Sequence, residues 1–266
     1  TIETDEHGLI VEAVERAFQQ GVKLLYTIPE FQNPGGMTIP EDRRRRIIKL
    51  AHRYDVPILE DTAYRALYYD APPPPTLLDL EGQFLGDADW QTEGLVIQLG
   101  TASKTLVPGL RVGWTIAPPV LIEKLVLLKQ ASDLHTATFN QILVHELAID
   151  ILPAHIDMLR DVYGQRRDAM VTTLRRHLPN TVNFATPKGG MFVWLTLPDG
   201  IDARALLKKA LAEQNLAFVP GAAFHANGGG ENTLRLSFAT CSPTDIEDGM
   251  KRLSALIAEA DLAAVS

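Results

Sequence analysis

The chain has 266 residues, 46% hydrophobic and 22% charged, values ordinary for a soluble globular protein and sufficient for one large domain or two modest ones. Asp and Glu (33) outnumber Lys and Arg (25), and the net charge of -8 argues against a nucleic-acid or anionic-membrane surface in this stretch. One cysteine, Cys241, excludes an intramolecular disulfide framework and fits a reducing, cytoplasmic setting, and no run of about 18 apolar residues is present to span a membrane.

The chain opens at Thr1 as though already mid-protein, so a missing signal peptide carries no information. Three short apolar runs, Val22 to Tyr26, Val56 to Leu59 and Leu95 to Leu99, predict buried parallel strands, with helical patterns between the first two as crossovers. Thr38, three residues before Glu41 with Pro40 between them, predicts a capping box opening the first crossover helix. The run Arg43 to Arg46, followed by Ile47, Ile48 and Leu50, reads as a solvated helix face. Pro72 to Pro75 can join neither a helix nor a central strand and reads as a surface loop.

From Leu121 to Leu152 the pattern is mainly helical, broken near Thr136 to Thr138, and a long helix is expected from about His155 to Leu178 with arginines toward its C-terminal end. Beyond it Gly189-Gly190 leads into a predicted strand over Met191 to Leu197. A helix over Ala203 to Gln214, strands over Leu216 to Val219 and Leu234 to Phe238, and a last helix from near Pro243 complete the pattern. A smaller α/β layer thus follows a larger one, with residues 1–152 in the first and 153–266 in the second.

A polar cluster follows each predicted strand: Gln32-Asn33-Pro34-Gly35-Gly36, then Glu60-Asp61-Thr62-Ala63-Tyr64, then Gly100-Thr101-Ala102-Ser103-Lys104. Ligands in open α/β sheets sit at the carboxyl ends of parallel strands, so three such clusters point to one shared site. Each alone is weak, since Asn-Pro-Gly is ordinarily only a turn. No metal site is expected. His145-Glu146 is followed by Ile149 where a zinc-protease helix needs histidine, and the other histidines lack ligand spacing. Gly228 to Gly230 is a loop rather than a phosphate-binding motif.

In order and spacing these segments resemble fold-type I, class I/II pyridoxal-phosphate (PLP) dependent aminotransferases. The resemblance rests on Asn33-Pro34 within Pro29 to Gly36, on Asp61-x-x-Tyr64, and on Thr101-x-Ser103-Lys104 followed by Pro108-Gly109-Leu110-Arg111-Val112-Gly113. It continues through Pro187-x-Gly189-Gly190-Met191-Phe192, Pro220-Gly221-x-x-Phe224 and Asn232-x-Leu234-Arg235-Leu236-x-Phe238, and so covers nearly the whole chain. The pattern is most similar to 2-aminoadipate (kynurenine-type) aminotransferases and to the aminotransferase-like part of MocR-type regulators. Thr101 stands where the family often has Ser, which keeps the hydroxyl, and Gly35 where many relatives have Thr or Ser.

The resemblance implies part of a large domain with a mostly parallel sheet, followed by a smaller C-terminal α/β domain. It makes Lys104 the Schiff-base lysine, a role suited to an amine beside hydroxyls just past a buried strand. Asp61 becomes the partner of the pyridine nitrogen, while Glu60, on the other face by alternation, is left a structural role. Tyr64 and Asn33 become partners of the phenolic oxygen, and Thr101, Ser103 and Arg111 supply hydroxyls and a guanidinium for the phosphate. Arg235, in a strand among Leu234, Leu236 and Phe238, needs an anion, which the resemblance identifies as the substrate α-carboxylate; the resemblance also makes Asn33 a substrate-binding residue.

The implied reaction moves an amino group between an α-amino acid and a 2-oxo acid through pyridoxamine phosphate, in a homodimer. The alternatives are a PLP-binding effector domain of a regulator and PLP-dependent lyase chemistry on the same scaffold. The family's body normally begins before the first segment seen here, with a phosphate-holding glycine-rich loop and a ring-stacking aromatic, so the resemblance leaves the substrate side chain open.

Overall fold

The three apolar runs form strands, each beginning later than its run. The structure, a computed structural model, describes residues 1–265. In chain order come β1 (Thr4–Asp5), β2 (Gly8–Leu9), α1 (Val11–Gln19), β3 (Leu25–Thr27), α2 (Glu41–Tyr54), β4 (Ile58–Asp61), α3 (Leu77–Leu85) and α4 (Asp87–Glu93). Then follow β5 (Val96–Thr101), β6 (Gly113–Ile116), α5 (Pro119–Ser132), α6 (Thr138–Asp150) and α7 (Leu152–His177). The remainder comprises β7 (Asn183–Phe184), β8 (Phe192–Thr196), α8 (Ala203–Gln214), β9 (Val219–Pro220), β10 (Thr233–Ser237) and α9 (Pro243–Val265). Two compact units divide these elements. One holds Ile2–Gln32 and Met37–Leu159, and the other holds Thr1, Asn33–Gly36 and the chain from Arg160 onward.

In the first unit the sheet order is β3-β4-β5-β6, with β3, β4 and β5 parallel and β6 antiparallel to β5. Leu25, Ile58 and Val96 lie side by side on one face, packed with Val14, Phe18, Ile47, Ile48, Leu77 and Leu80 from α1, α2 and α3. Alternation sends Tyr26, Leu59, Asp61, Leu99 and Thr101 to the opposite face.

The arginine run does not behave as a uniform solvated face. Arg45 and Arg46 are exposed, but Arg44 is fully buried. It lies three and four residues before Ile47 and Ile48 and seven before Ala51, so the helical period turns it inward with them. There Nη1 donates to Glu30 Oε1 (2.5 Å) and to the Pro75 carbonyl (2.9 Å), while Nε donates to the Ile39 carbonyl (2.7 Å). Arg65 reaches the same Glu30 oxygen (2.6 Å) and the Pro74 carbonyl (2.7 Å). The proline run is therefore an irregular segment, as expected, whose carbonyls serve two arginines.

The predicted capping box is also corrected. Pro40 occupies the N-cap of α2 and offers no side-chain bond, while the Thr38 hydroxyl accepts instead from Phe31 N (3.2 Å). A capping box does form at α3, between Thr76 and Asp79. Glu60, buried on the core face, accepts from the first-turn amides of Leu77 (2.6 Å) and Leu78 (3.1 Å) and from Gln98 Nε2 (3.0 Å). Burial pushes its carboxyl above the usual range, opposed by those bonds.

Arg43 fastens β1 to α2 through paired bonds to Asp5 (2.8 Å each). Chiefly through these bonds, the Asp5 carboxyl is held at about 2 instead of 3.8. A depressed acid contributes stability that is whole above the unfolded value and is lost as pH falls through the folded one. Asp5→Asn should therefore be less stable than the parent at pH 5, with the gap closing between pH 3.8 and about 2. Urea midpoints measured along that range check this, and a gap constant with pH would contradict it.

In the second unit the sheet order is β7-β8-β10-β9, antiparallel throughout. Val193, Leu195, Leu234 and Leu236 face a core with Met170 and Leu174 of α7, Leu206 of α8, and Ile246, Met250, Leu253 and Ile257 of α9. β9 is shorter and later than predicted, because Leu216 to Phe218 form no ladder. Helices α5 and α6 bury none of their residues, leaving Leu127, Leu128, Phe139 and Ile142 exposed.

Candidate functional site

The carboxyl ends of β4 and β5 are tied together. Thr62 donates its amide (3.1 Å) and its hydroxyl (2.8 Å) to the Leu99 carbonyl, so the residues after each strand start from a fixed register. Asp61, the last residue of β4, accepts the amide of Ala63 at Oδ1 (3.0 Å) and the hydroxyl of Tyr26 at Oδ2 (2.8 Å). Burial first, and the Asp61 bond second, push the Tyr26 hydroxyl well above its ordinary value, so it stays protonated and remains a donor. Tyr64, one short turn further on, is buried.

Past β5 the chain folds back on itself. Ser103 N donates to Thr101 Oγ1 (3.1 Å), Thr101 Oγ1 donates to the Val112 carbonyl (3.4 Å), and Ala102 N reaches that same carbonyl (3.1 Å). A bond from Leu106 N to the Ala102 carbonyl (2.9 Å) closes the turn that carries Lys104. Its Nζ lies 5.9 Å from the centre of the Tyr64 ring, within reach of a cation–π contact. Arg111 adopts a left-handed backbone conformation (φ 54°) after the turn Pro108–Leu110, and Nη1 donates to the Pro108 carbonyl (3.1 Å). The chain then enters β6, where Trp114 lies across Gly100. A Cβ there would come within 2.1 Å of the indole, so this crossing needs glycine.

In the other unit, Arg235 pairs across the ladder with Trp194, and Phe192 is diagonal to it on the same face. The arginine is thus half-buried on the face away from Leu234 and Leu236, not packed among them. Its guanidinium carbon lies 4.1 Å from the Phe192 ring centre and 4.9 Å from that of Phe224, and Nη1 donates to Asn33 Oδ1 (2.6 Å). Two aromatic rings and an amide therefore flank the guanidinium.

Of the residues singled out from sequence, Asp61, Tyr64, Thr101, Ser103, Lys104 and Arg111 lie on the strand-end loops of the first unit, and Asn33 and Arg235 meet in the second. Tyr26 was missed because it sits inside an apolar run. Its alternation onto the Asp61 face was the available signal. Phe192 and Phe224 lay in quoted motifs without a role. No group of three or more metal-ligating side chains occurs among the described residues, and no described helix is long and apolar enough to cross a membrane.

The profile of the aminotransferase class I and II family matches residues 2–253. The chain is 43% identical to a 2-aminoadipate transaminase of Thermus thermophilus over 95% of its own length and 62% of that protein's. It is similar to the crystal structure of an α-aminoadipate aminotransferase from the same organism in complex with N-(5'-phosphopyridoxyl)-L-leucine. That likeness has a TM-score of 0.91 at 41% identity and covers 99% of this chain and 66% of the other. An HTH-type transcriptional regulator of Bacillus subtilis is 34% identical over 88% of this chain and 46% of its own length. The chain thus spans under two thirds of the length of the relatives it matches.

Proposed function

The chain belongs to the class I and II aminotransferase family, and on that premise we propose that its parent protein transfers an amino group from an α-amino acid to a 2-oxo acid using PLP held by Lys104. The observation that carries this reading is the grouping of an amine, a phenol and a carboxylate at the ends of two adjacent parallel strands, as Lys104, Tyr64 and Asp61.

The donor set fits the cofactor. PLP needs an amine for its aldehyde, an anion for its ring nitrogen, a donor for its phenolic oxygen, and hydroxyls with a cation for its phosphate. Lys104, Asp61, Tyr64 and then Thr101, Ser103 and Arg111 are of those types. When bound, PLP would supply an electron sink for the bonds at the substrate Cα and a carrier for the transferred amino group. Lys104 would hold the cofactor and move the proton at the substrate Cα. Asp61 would keep a proton on the ring nitrogen and Tyr64 would donate toward the phenolic oxygen, the role that the resemblance also gives Asn33. Arg235 grips the α-carboxylate with its planar fork, and Asn33 fixes the edge of that fork.

The same reading divides the family's large and small domains after residue 152; the compact units divide seven residues later, between Leu159 and Arg160, and Asn33–Gly36 goes with the second unit. The exposed apolar surface of α5 and α6 supports a homodimer. The lone Cys241, exposed and free, supports a reducing cytoplasmic setting, and the proposed transfer would suit amino-acid biosynthesis.

Transfer is tested by incubating the whole protein with PLP, an amino acid and a 2-oxo acid and detecting the new amino acid. Arg235→Ala should weaken amino-acid substrates roughly 10- to 100-fold, the worth of a charge-assisted bond, and leave amines without a carboxylate almost unaffected. Equal weakening of both classes would make Arg235 structural.

A second reading, favoured by the regulator match, makes the chain a PLP-binding effector domain. Amino-acid binding would then change the DNA affinity of the whole protein without turnover.

A further inference from the structure

We propose that Tyr26 is a positioning residue for Asp61, its hydroxyl fixing the rotation of the carboxylate so that an oxygen is kept available as acceptor for the cofactor's ring nitrogen. The inference deepens the proposed function and rests on the role given there to Asp61.

The geometry comes from the register. Tyr26 stands opposite Leu59 on the neighbouring strand, and Asp61 is two residues further along, so both side chains leave the sheet on one face. The tyrosine hydroxyl reaches across to Oδ2 at 2.8 Å, and the Ala63 amide takes Oδ1 at 3.0 Å. The amide alone would leave the carboxylate free to swing about its Cβ–Cγ bond. A second donor on the other oxygen sets its plane. An ionised carboxylate offers about four lone-pair directions, so two protein donors leave room for a third, the ring N–H.

Position matters more here than packing. Tyr26 as a whole is 53% exposed, and it stands on the face opposite the one that buries Leu25 and Thr27. Burial, and then the Asp61 bond, make the hydroxyl a weaker acid than usual, which keeps it a donor across the neutral range. Glu60, one residue before Asp61, shows the contrast. Its bonds go to helix amides and Gln98, a structural cap.

The test compares the whole protein with its Tyr26→Phe variant, each loaded with PLP labelled with 15N in the ring. The 15N shift at neutral pH reports whether the ring nitrogen carries its proton. In the parent it should be protonated. In Tyr26→Phe the ratio of protonated to unprotonated nitrogen should fall about tenfold, the worth of one hydrogen bond to a charged group, and PLP affinity should fall by a similar factor. Thermal unfolding without cofactor should be nearly unchanged, since one exposed-face oxygen is removed. An unchanged 15N signal in Tyr26→Phe, whether or not affinity or melting moves, overturns the positioning role and leaves the proposed function standing. A parent that binds no PLP, or binds it with an unprotonated ring nitrogen, overturns the reading of Asp61 and this inference with it.

Discussion

Lys104→Ala is expected to abolish the borohydride-reducible chromophore of the PLP-loaded protein and to lower amino transfer by at least about 10²–10⁴-fold, the range attributed to a positioned proton-transferring group. The loss is specific because no other lysine lies on the strand-end loops that carry Asp61, Tyr64 and Thr101. The turn from Ala102 to Leu106 is closed by a backbone bond that does not involve the Lys104 side chain, so the alanine variant should keep its loop. Reduction with borohydride followed by peptide mapping should label the Lys104 peptide in the parent and nothing at this site in the variant. A reducible adduct still formed there would remove Lys104 from its role.

Arg44→Ala should be the most destabilising change in the arginine run, by about 3–5 kcal/mol, because it strips a buried carboxylate of its buried partner. Glu30 would keep only Arg65, which is partly exposed, and the carbonyls of Ile39 and Pro75 would lose their donor. Arg45→Ala and Arg46→Ala remove exposed pairs with Glu41 and Glu12, each worth about 0–1 kcal/mol. Urea unfolding of the three variants separates these outcomes. Arg44→Ala falling in line with its neighbours would mean that the buried pair contributes nothing net.

Much of the fold was legible because its signals are local. Apolar runs found β3, β4 and β5, and period alone gave α8 from Ala203 to Gln214. What failed depended on distant partners. Val22 and Leu24 were counted into the first strand, but both are exposed and precede the ladder. Thr38 carried the spacing of a capping residue, yet Phe31 N claimed its hydroxyl. Arg44 looked like its neighbours until the helical period placed it beside Ile47 and Ile48 on the buried face.

The candidate site divides in the same way. Asp61, Tyr64 and Lys104 could be named because each lies at or just past a strand end. The bond between Asn33 and Arg235 spans 202 positions, and no spacing rule reaches that far. Resemblance gave both residues roles but not their direct contact. Tyr26 was hidden by its hydrophobic surroundings, and only the register against β4 brings its hydroxyl to Asp61.

The most direct test of amino transfer is a single half-reaction. The whole protein, loaded with one PLP per site, is given an amino acid in the absence of any 2-oxo acid, and its absorbance is followed. The account predicts that the PLP band is replaced by that of pyridoxamine phosphate in a stoichiometric step. One 2-oxo acid should form per bound cofactor with no free ammonia, and added 2-oxo acid should restore the original band. A PLP band that persists while cleavage products or ammonia accumulate would show lyase chemistry instead. A band that shifts on amino-acid binding without any product, accompanied by a change in DNA affinity, would show a ligand sensor, and either result would contradict the assignment of an aminotransferase.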